Sequence, residues 1–561
     1  MFASVDPAVD RPDTCTHRVS PLRIEAVGLD SIQLCSIVVD ACPLTDTLSV
    51  LHLDVSLFEW AWGDRTGWSG TAFPTFMDAE EIFVADLFTR RGVGLVHDGG
   101  SSALIMRFHK KLCVGPVVVG LVLGGVIVVS PAEADAPPIS TLATPGQLLM
   151  DHLSEHLAAA PAVQAEATKV MTQWNNAVTA KLGPLSAQNE SLLAPAIEQL
   201  TYGSAQVVAD GDPDHPVVSW IEAPPHTWFG NEVPGGRFAG DNPDTVYRMI
   251  PIDGVSTYQI SGRFVGAHPA NTLFQLVVSP SWTGVDSIGT DINGTDSLVV
   301  NPDGTFSVSV GPGPANGQTN YMQTTATDSD VYIRDTLSDW STQSAPYLSV
   351  RRIAGPAPGP RPTFSQQVAS TVSQLSTWGT LWLNTDILGV QMAAPANTFP
   401  ALIYATGGIW RDFPNFDLAP NQALVITTNL AGATYVGIPV QNIWTVSADY
   451  WDHQSSLTNA QARPNPDGTY TFVVSSRDPG VYNWVDTTGL QQGTMVLRWQ
   501  GVPLGNVPSV SGQVVDLSNL SSVLPAGTVF VTPSQRANQL AQREAGFEAR
   551  VAPGVPGDLR S

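Results

Sequence analysis

The chain has 561 residues, 26 lysines and arginines against 50 acidic residues, a formal net charge of −24 and four cysteines. An acid excess of this size disfavours nucleic acid and anionic membrane surfaces as partners. Cys15, Cys35, Cys42 and Cys113 all lie in the first fifth or so of the chain, so the remainder must hold by its core rather than by disulfides.

Residues 1–105 show no sustained hydrophobic period and read as a mis-started or disordered N-terminal extension with no assigned fold. Residues 106–136 read MRFHKKLCVGPVVVGLVLGGVIVVSPAEADA. A basic start, an uncharged run from Leu112 to Ser130 and the pair Ala132/Ala134 have the order of a secretory signal peptide. The alternative is a permanent anchor, since 112–130 could just cross the ~30 Å hydrocarbon layer. Both readings put the bulk of the chain in the cell envelope or outside the cell, with membrane contact only through 112–130. From Asp135 onward two lysines and fifteen arginines face thirty-four acidic residues, a net charge of −17.

Residues 137–215 read as a Pro/Ser/Thr-rich spacer and then helices. Val163, Ala167, Val170, Met171, Trp174 and Val178 recur at three- and four-residue steps as one apolar stripe, and a second helix is expected near Leu192–Leu200. From 216 to 354 the texture changes to short β-branched and aromatic runs broken by Gly, Pro, Asn and Asp, which predicts a β-sandwich domain. GPAPGPRP at 355–362 is the clearest boundary, opening a linker with a helix over 355–400. A second β-sandwich domain is expected over 401–533, and a polar, peripheral helix and tail over 534–561.

The second β block echoes the first. Asn301-Pro-Asp-Gly-Thr-Phe306 matches Asn465-Pro-Asp-Gly-Thr-Tyr470, and Asn320-Tyr321 matches Asn483-Trp484. Tyr332-Ile-Arg334-Asp335 matches Val496-Leu-Arg498-Trp499, and Tyr247-Arg248 parallels Trp410-Arg411, all at offsets of 163 or 164. This predicts two copies of one domain. Asp-Gly inside the first match suits a tight turn. The repeat singles out Arg248, Arg334, Arg411 and Arg498, expected to clamp carboxylates, with Asp244 and Asp486 the leading partners. Twelve tryptophans follow the signal, with Trp444, Trp451, Trp484 and Trp499 grouped late. Such rings fill cores or line an apolar or saccharide cavity.

His152-Leu-Ser-Glu155-His156 fits H-x-x-E-H, two potential zinc ligands and a base on one helix turn. An exposed helix with solvated histidines is the plainer reading, so no metal or cofactor is expected. Asp449, Asp452 and His453 form a second acid–base grouping. No G-x-S-x-G elbow, P-loop or dinucleotide fingerprint is present.

Asp241-Asn-Pro-Asp244-Thr-Val-Tyr247 resembles the Asn-x-Asp-Thr-x-Tyr signature of the domain-of-unknown-function families 1254 and 1214. Asp478-Pro-Gly-Val-Tyr-Asn483-Trp484-Val-Asp486, followed by Leu497-Arg498-Trp499, resembles the end of family 1214. The resemblance covers roughly 240–350 and 405–503 and implies jelly-roll β-sandwiches, with no established activity, catalytic residue or cofactor. The expected fold is mainly β: two tandem jelly-roll-like β-sandwich domains with accessory α-helical segments. The expected function is an exported, non-catalytic binding or structural protein, the alternative being a secreted hydrolase. The candidate cluster is Asp244, Tyr247, Arg248, Arg334, Arg411, His453, Asn483, Trp484, Asp486 and Arg498.

Overall fold

The computed structural model describes residues 140–552 apart from 279–287, 294–297 and 406–407, together with four earlier strands. The segment 106–136 and most of 1–105 lie outside the described residues. The chain divides into two compact units, Met1–Val129 and Ser130–Ser561. In the first, Leu22–Arg23 pairs with Ser36–Ile37 and Gly94–Asp98 with Ser101–Ile105, both antiparallel. All other described elements belong to the second, which is mainly β, with several sheets and few helices. Among the described residues no helix is long and apolar enough to cross a membrane.

The second unit opens with α1 (Pro145–Ala158), α2 (Pro161–Leu182), α3 (Ala187–Ser191) and α4 (Leu193–Asp210). Thr144 caps α1 by accepting the Gln147 N–H at 3.1 Å, with Pro145 in the first helical position. On α2 the predicted stripe is the buried face, Met171 alone being half-buried. After the proline-rich break a Thr363/Gln366 capping box starts α5 (Phe364–Trp382), which runs into a π-helical stretch, Leu383–Gln391. α2 and α5 meet closely at Gly379, whose carbonyl accepts the Trp174 Nε1–H at 2.7 Å. α2, α4 and α5 share one apolar core with Tyr247, Met249 and Tyr332 of the sheet described next.

The first half contributes β1 (Ser219–Ile221), β2 (His226–Trp228), β3 (Asn231–Val233), β4 (Thr245–Pro251), β5 (Thr257–Arg263) and β6 (Asn271–Val278). It continues with β7 (Ile288–Asn293), β8 (Thr305–Gly311), β9 (Tyr321–Gln323), β10 (Asp328–Thr336) and β11 (Tyr347–Ala354). One sheet runs β7-β6-β10-β4-β1 and a second β9-β8-β5-β11, while β2 and β3 form a hairpin. Ile250, Phe274, Leu276, Val331 and Ile333 of the first sheet pack on Tyr258, Ile260, Phe306 and Val308 of the second. Strand alternation turns Tyr332 and Arg334 to the opposite face.

The second half contributes β12 (Ile403–Ala405), β13 (Ile409–Asp412), β14 (Asn415–Asp417), β15 (Gln422–Thr428), β16 (Tyr435–Gln441) and β17 (Ser456–Thr458). β18 (Tyr470–Ser475), β19 (Trp484–Asp486), β20 (Gln492–Met495), β21 (Leu497–Gln500) and β22 (Val510–Asp516) follow. The large sheet runs β12-β13-β21-β16-β20-β14, with β17 also on β16, and the small one β19-β18-β15-β22. Their shared core includes Leu424, Ile426, Phe472, Val474, Leu497 and Trp499.

The small sheets of the two halves have the same strand order and the same strand directions. β8 pairs antiparallel with β5 (Val308 opposite Ile260) and parallel with β9 (Ser309 opposite Tyr321). β18 pairs antiparallel with β15 (Phe472 opposite Ile426) and parallel with β19 (Val473 opposite Trp484), offsets of 163 to 166. The Asn-Pro-Asp-Gly-Thr turns also agree. Gly304 and Gly468 have φ of 80° and 83°, and Asp303 and Asp467 accept the Thr305 and Thr469 hydroxyls at 2.7 and 2.6 Å.

The large sheets correct one sequence match. Arg334 lies opposite Leu273 and Tyr247, whereas Arg498 lies opposite Gly437 and Arg411. With Arg334 and Arg498 equivalent, Arg411 therefore stands where Tyr247 stands, not where Arg248 stands. A one-residue slip turns a side chain to the other face of a sheet. Arg248 is accordingly buried elsewhere, in an ion pair with Asp335 at 2.6 Å and bonded to Pro346 O at 2.7 Å.

The C-terminal helix α6 (Pro533–Val551) is not peripheral. Arg536, Arg543 and Arg550, seven residues apart, lie on its buried face. Arg536 bonds Asp478 at 2.9 Å, Arg543 bonds Ser456 Oγ at 2.6 Å, and Arg550 reaches Pro243 O at 2.7 Å in the first half. Arg543 and Arg550 lie over the Trp340 ring at 4.1 and 4.0 Å. Ser140 N donates to Ala552 O at 3.0 Å, so the first and last well-described residues meet.

Candidate functional site

The two halves join through the Asn-Pro-Asp-Thr signature. Asp241 accepts the Ser447 N–H at 2.8 Å and its hydroxyl at 2.5 Å. Asn242 donates to Tyr435 OH at 3.0 Å, and Asp244 accepts from Tyr435 OH at 2.8 Å and Trp340 Nε1 at 2.9 Å. Asn271 of β6 donates to Gln500 of β21 at 3.1 Å. Beside this seam the outer faces of the two large sheets bring Tyr247, Tyr332 and Arg334 near Arg411 and Arg498. Glu222, just after β1, and Asp386, midway along the π-helical stretch, complete the group.

Tyr332 is the hinge of the cluster. Its hydroxyl donates to Glu222 Oε1 at 2.6 Å, Tyr247 stacks on it at 5.8 Å between ring centroids, and the Arg334 guanidinium lies 4.4 Å above its ring. Arg498 donates to Gly240 O and, at 3.1 Å, to Val496 O. Among the described residues neither Arg334 nor Arg411 has an ion pair or a side-chain hydrogen bond, and Arg411 Nε is buried without a partner. Asp386 Oδ2 and Thr445 Oγ1 are likewise buried and unpartnered. Thr445 is close enough to favour the Asp386 carboxylate electrostatically, yet the two do not reach hydrogen-bond geometry.

Glu222, Arg334, Asp386, Arg411 and Arg498 each keep some surface open to water. The protein is nonetheless dense enough around them to shift their protonation. Burial brings Arg411 down to about 10, helped by the charges of Arg498 and Arg334 and opposed by Tyr247 and Asp386. Burial raises Glu222 to about 7 and Asp386 to about 6, against the pull of nearby arginines. Tyr247 is pushed up to about 12, again by burial. These crowded groups still reach water and form a polar cluster between the two large sheets. Backbone strain gathers at the same place: Glu222, Ala239 and Thr445 have φ of 54°, 51° and 62°, which is costly for a β-branched threonine. A π-helical stretch beside such a cluster is a further mark of a functional site.

The other predicted site residues fall elsewhere. Asp244 belongs to the seam, facing the charges of Arg543 and Arg550 rather than the repeated arginines. Asp486 accepts from His453 Nδ1 at 2.9 Å, the histidine being half exposed. The Asn483 side chain bonds Arg463 O and Thr471 O at 2.8 and 2.9 Å, fixing a turn, and Trp484 Nε1 bonds Ser475 O at 3.0 Å. Asp449 accepts the Trp451 and Asp452 N–H groups at 3.2 and 3.0 Å and does not converge with His453 on a common point. Glu155 is engaged by Asn231 at 2.6 Å, His152 lies 4.0 Å from it and His156 is exposed. Among the described residues no group of three His, Cys, Asp or Glu is placed to hold a metal ion. The late tryptophans do not form one surface: Trp444 stacks with Trp174, Trp451 meets Tyr450 edge-on and Phe547 at a tilt, and Trp499 fills the second core.

Glu222, Tyr332, Asp386 and Thr445 were missed by sequence reasoning. A signal existed for one of them: Asp386 is the sole charged residue between Arg361 and Arg411. A lone carboxylate in so long an uncharged stretch is costly to bury without purpose.

No family model matches the chain, and no curated protein matches it. Among solved structures it is similar to an uncharacterised protein from Burkholderia cenocepacia, with 20% identity and a TM-score of 0.54 over 65% of this chain and 99% of that one. That likeness concerns the fold. The VPA0106 protein from Vibrio parahaemolyticus is a looser match, with 9% identity and a TM-score of 0.31 over 48% of this chain and 89% of that one.

Proposed function

We propose that this chain is an exported, non-catalytic binding protein whose site is the polar cluster between its two β halves, and that its ligand is a small organic or inorganic anion. Arg411 carries the reading. Its guanidinium is partly enclosed and unpaired, with Nε buried and lacking a hydrogen-bond partner, which is unfavourable, and two further arginines add repulsion. A bound anion would remove it, accepting forked hydrogen bonds from groups that otherwise have none. An anion replaces the apolar or saccharide ligand suggested by the tryptophans, because most of those rings are used in cores. The hydrolase alternative draws less support, since Asp449, Asp452 and His453 do not converge.

The finer architecture belongs to the same proposal. Matched strand orders and turns support two tandem jelly-roll-like sandwiches derived from one ancestral domain, with kinship to the domain-of-unknown-function families 1254 and 1214 carried by the 241–247 and 478–486 motifs. Arg334 and Arg498 would then be equivalent residues meeting in one cluster. Superposition of 240–350 on 404–503 in a crystal structure tests the duplication. Export, by a signal or anchor within 106–136, is tested by N-terminal sequencing of the protein from its native host.

The binding reading is tested by thermal-shift titration of the full chain with small carboxylates and phosphates beside neutral sugars. An anion that raises the melting temperature, and no longer does so in Arg411→Met, supports it. Stabilisation by a neutral sugar, unchanged in Arg411→Met, overturns it.

A further inference from the structure

Asp151 of α1 is fully enclosed, and three neutral side chains touch its carboxyl group. The Gln147 amide donates to Oδ1 at 2.9 Å, Trp228 Nε1 donates to Oδ2 at 3.0 Å, and Tyr202 Oη lies 3.1 Å from Oδ1. Trp228 belongs to the hairpin β2–β3, whose strands pair only with each other across a tight turn at Phe229 and Gly230, with φ of 49° and 78°. A lone two-stranded hairpin is marginal in water, so its seat depends on what its side chains hold. One turn along α1, Glu155 accepts from Asn231 of β3 at 2.6 Å. Two carboxyl groups on one helix face therefore fasten both strands.

The groups around Asp151 leave its proton one place to go. Gln147 Nε2 and Trp228 Nε1 can only donate, whereas the Tyr202 hydroxyl can also accept. Gln206, one turn further along α4, has a buried Oε1 without a partner and acts on the Tyr202 hydroxyl. A protonated Asp151 would donate to Tyr202, which would turn its own hydrogen toward Gln206. An ionised Asp151 would place a full charge among Tyr202, Trp220 and Trp228, with Glu155 adding repulsion. The packed elements supply little to offset it. His226 of β2 gives Nδ1–H to Pro224 O at 2.7 Å, and burial lowers it to about 4, so it is neutral. His152 on α1 lies 4.0 Å from Glu155, Glu166 and Lys169 on α2 pair with each other, and Glu232 of β3 is exposed. α5 has no charged residue, and α6 turns Arg543 and Arg550 over Trp340. Burial accordingly raises Asp151 to about 7.

We propose that Asp151 is a proton-operated clasp: protonated, it seats the hairpin β2–β3 on α1 and α4, and ionised, it loosens that hairpin. The hairpin's stem closes where Gly236 N donates to Ala223 O at 2.8 Å, between Glu222 of the polar cluster and Asp241 of the seam. The folded state holds this proton more tightly than the unfolded chain does. Its stabilisation is therefore complete below about pH 4 and lost as pH rises through about 7.

The test is urea unfolding of the full chain and of Asp151→Asn from about pH 5 to about pH 8.5, beside hydrogen–deuterium exchange of 226–233 corrected for intrinsic rates. Relative to the variant, the parent's unfolding constant should rise about tenfold per pH unit up to about pH 7 and then level off. Hairpin exchange should accelerate over the same range in the parent alone. A constant ratio of unfolding constants, or hairpin exchange no more pH-sensitive than that of β5, overturns the proposal. Tyr202→Phe keeps the ring and removes the proton acceptor, so the pH at which hairpin exchange rises should fall by about one unit. A midpoint that stays or rises would mean that Tyr202 only donates to an anion, which also overturns the proposal. If Asp151→Asn does not fold, exchange in the parent and in Tyr202→Phe decides the matter without it.

Discussion

Arg543→Met would remove a buried cation from α6 while keeping much of its volume. The guanidinium donates to Tyr450 O, to Ser456 O at 3.0 Å and to Ser456 Oγ at 2.6 Å, and lies over Trp340. Hydrogen bonds to charged groups contribute about 1.5–3 kcal/mol each, so three suggest roughly 4.5–9 kcal/mol. Burial opposes that figure by bringing Arg543 down from the ordinary guanidinium range to about 9. The displacement corresponds to something on the order of 4–5 kcal/mol at about 1.36 kcal/mol per decade. The variant would also strand three acceptors and leave the buried Asp244 with Arg550 as its nearest cation. A net loss of about 3–5 kcal/mol follows, the range for removing one member of a buried charged partnership. About 2.1 cal/mol/K for each of roughly 420 residues gives an unfolding entropy near ~0.9 kcal/mol/K, hence a melting temperature lower by about 3–6 °C. Differential scanning calorimetry reads this directly. A variant melting within about 1 °C of the parent would refute the reasoning, because desolvation would then cancel the bonds.

Other outcomes are equally specific. Glu222 and Asp386 have raised affinities for protons in the folded state, so their protonated forms favour folding. That contribution is complete below about pH 4 and is lost as pH rises through about 6 to 7. Glu222→Gln should therefore gain urea resistance over the parent between pH 5 and pH 8, and a constant difference would contradict the assignment. Thr445→Gly relieves a φ of 62° and a buried unpartnered hydroxyl. After the entropy cost of glycine it should be about 1 kcal/mol more stable in urea denaturation while binding anions less tightly. Gly379→Ala would put a Cβ 2.6 Å from Val170, so forcing α2 and α5 apart should cost about 1–3 kcal/mol by the same denaturation measurement.

The local periods of the sequence were readable because their physics is local. The α2 stripe, the Thr363 and Asp-Gly turn signals and the proline-rich break depend on residues within a few positions of one another. The internal repeat also exposed Arg334 and Arg498. Pairing Arg248 with Arg411 failed because similarity tolerates a one-residue offset and a sheet does not. Glu222 and Asp386 stayed hidden for a different reason: what brings them to the arginines is the packing of a loop and a π-helical stretch against two sheets, which no short motif encodes. The docking of α6 is not legible in its apolar content, because three arginines share its buried face with Gly546 and Phe547.

The hydrogen bond from Ser140 to Ala552, with Arg550 reaching Pro243, has a consequence for how the molecule is made. These contacts join residues about four hundred and about three hundred positions apart, and contacts of such separation slow folding. The β strands can pair as they emerge, but the final latch waits for the last helix to be synthesised. Until then Trp340 lacks the two arginines that cover it and the seam carboxylate lacks its nearest cations. A nascent chain would therefore stay loosely closed and open to proteases until α6 has docked.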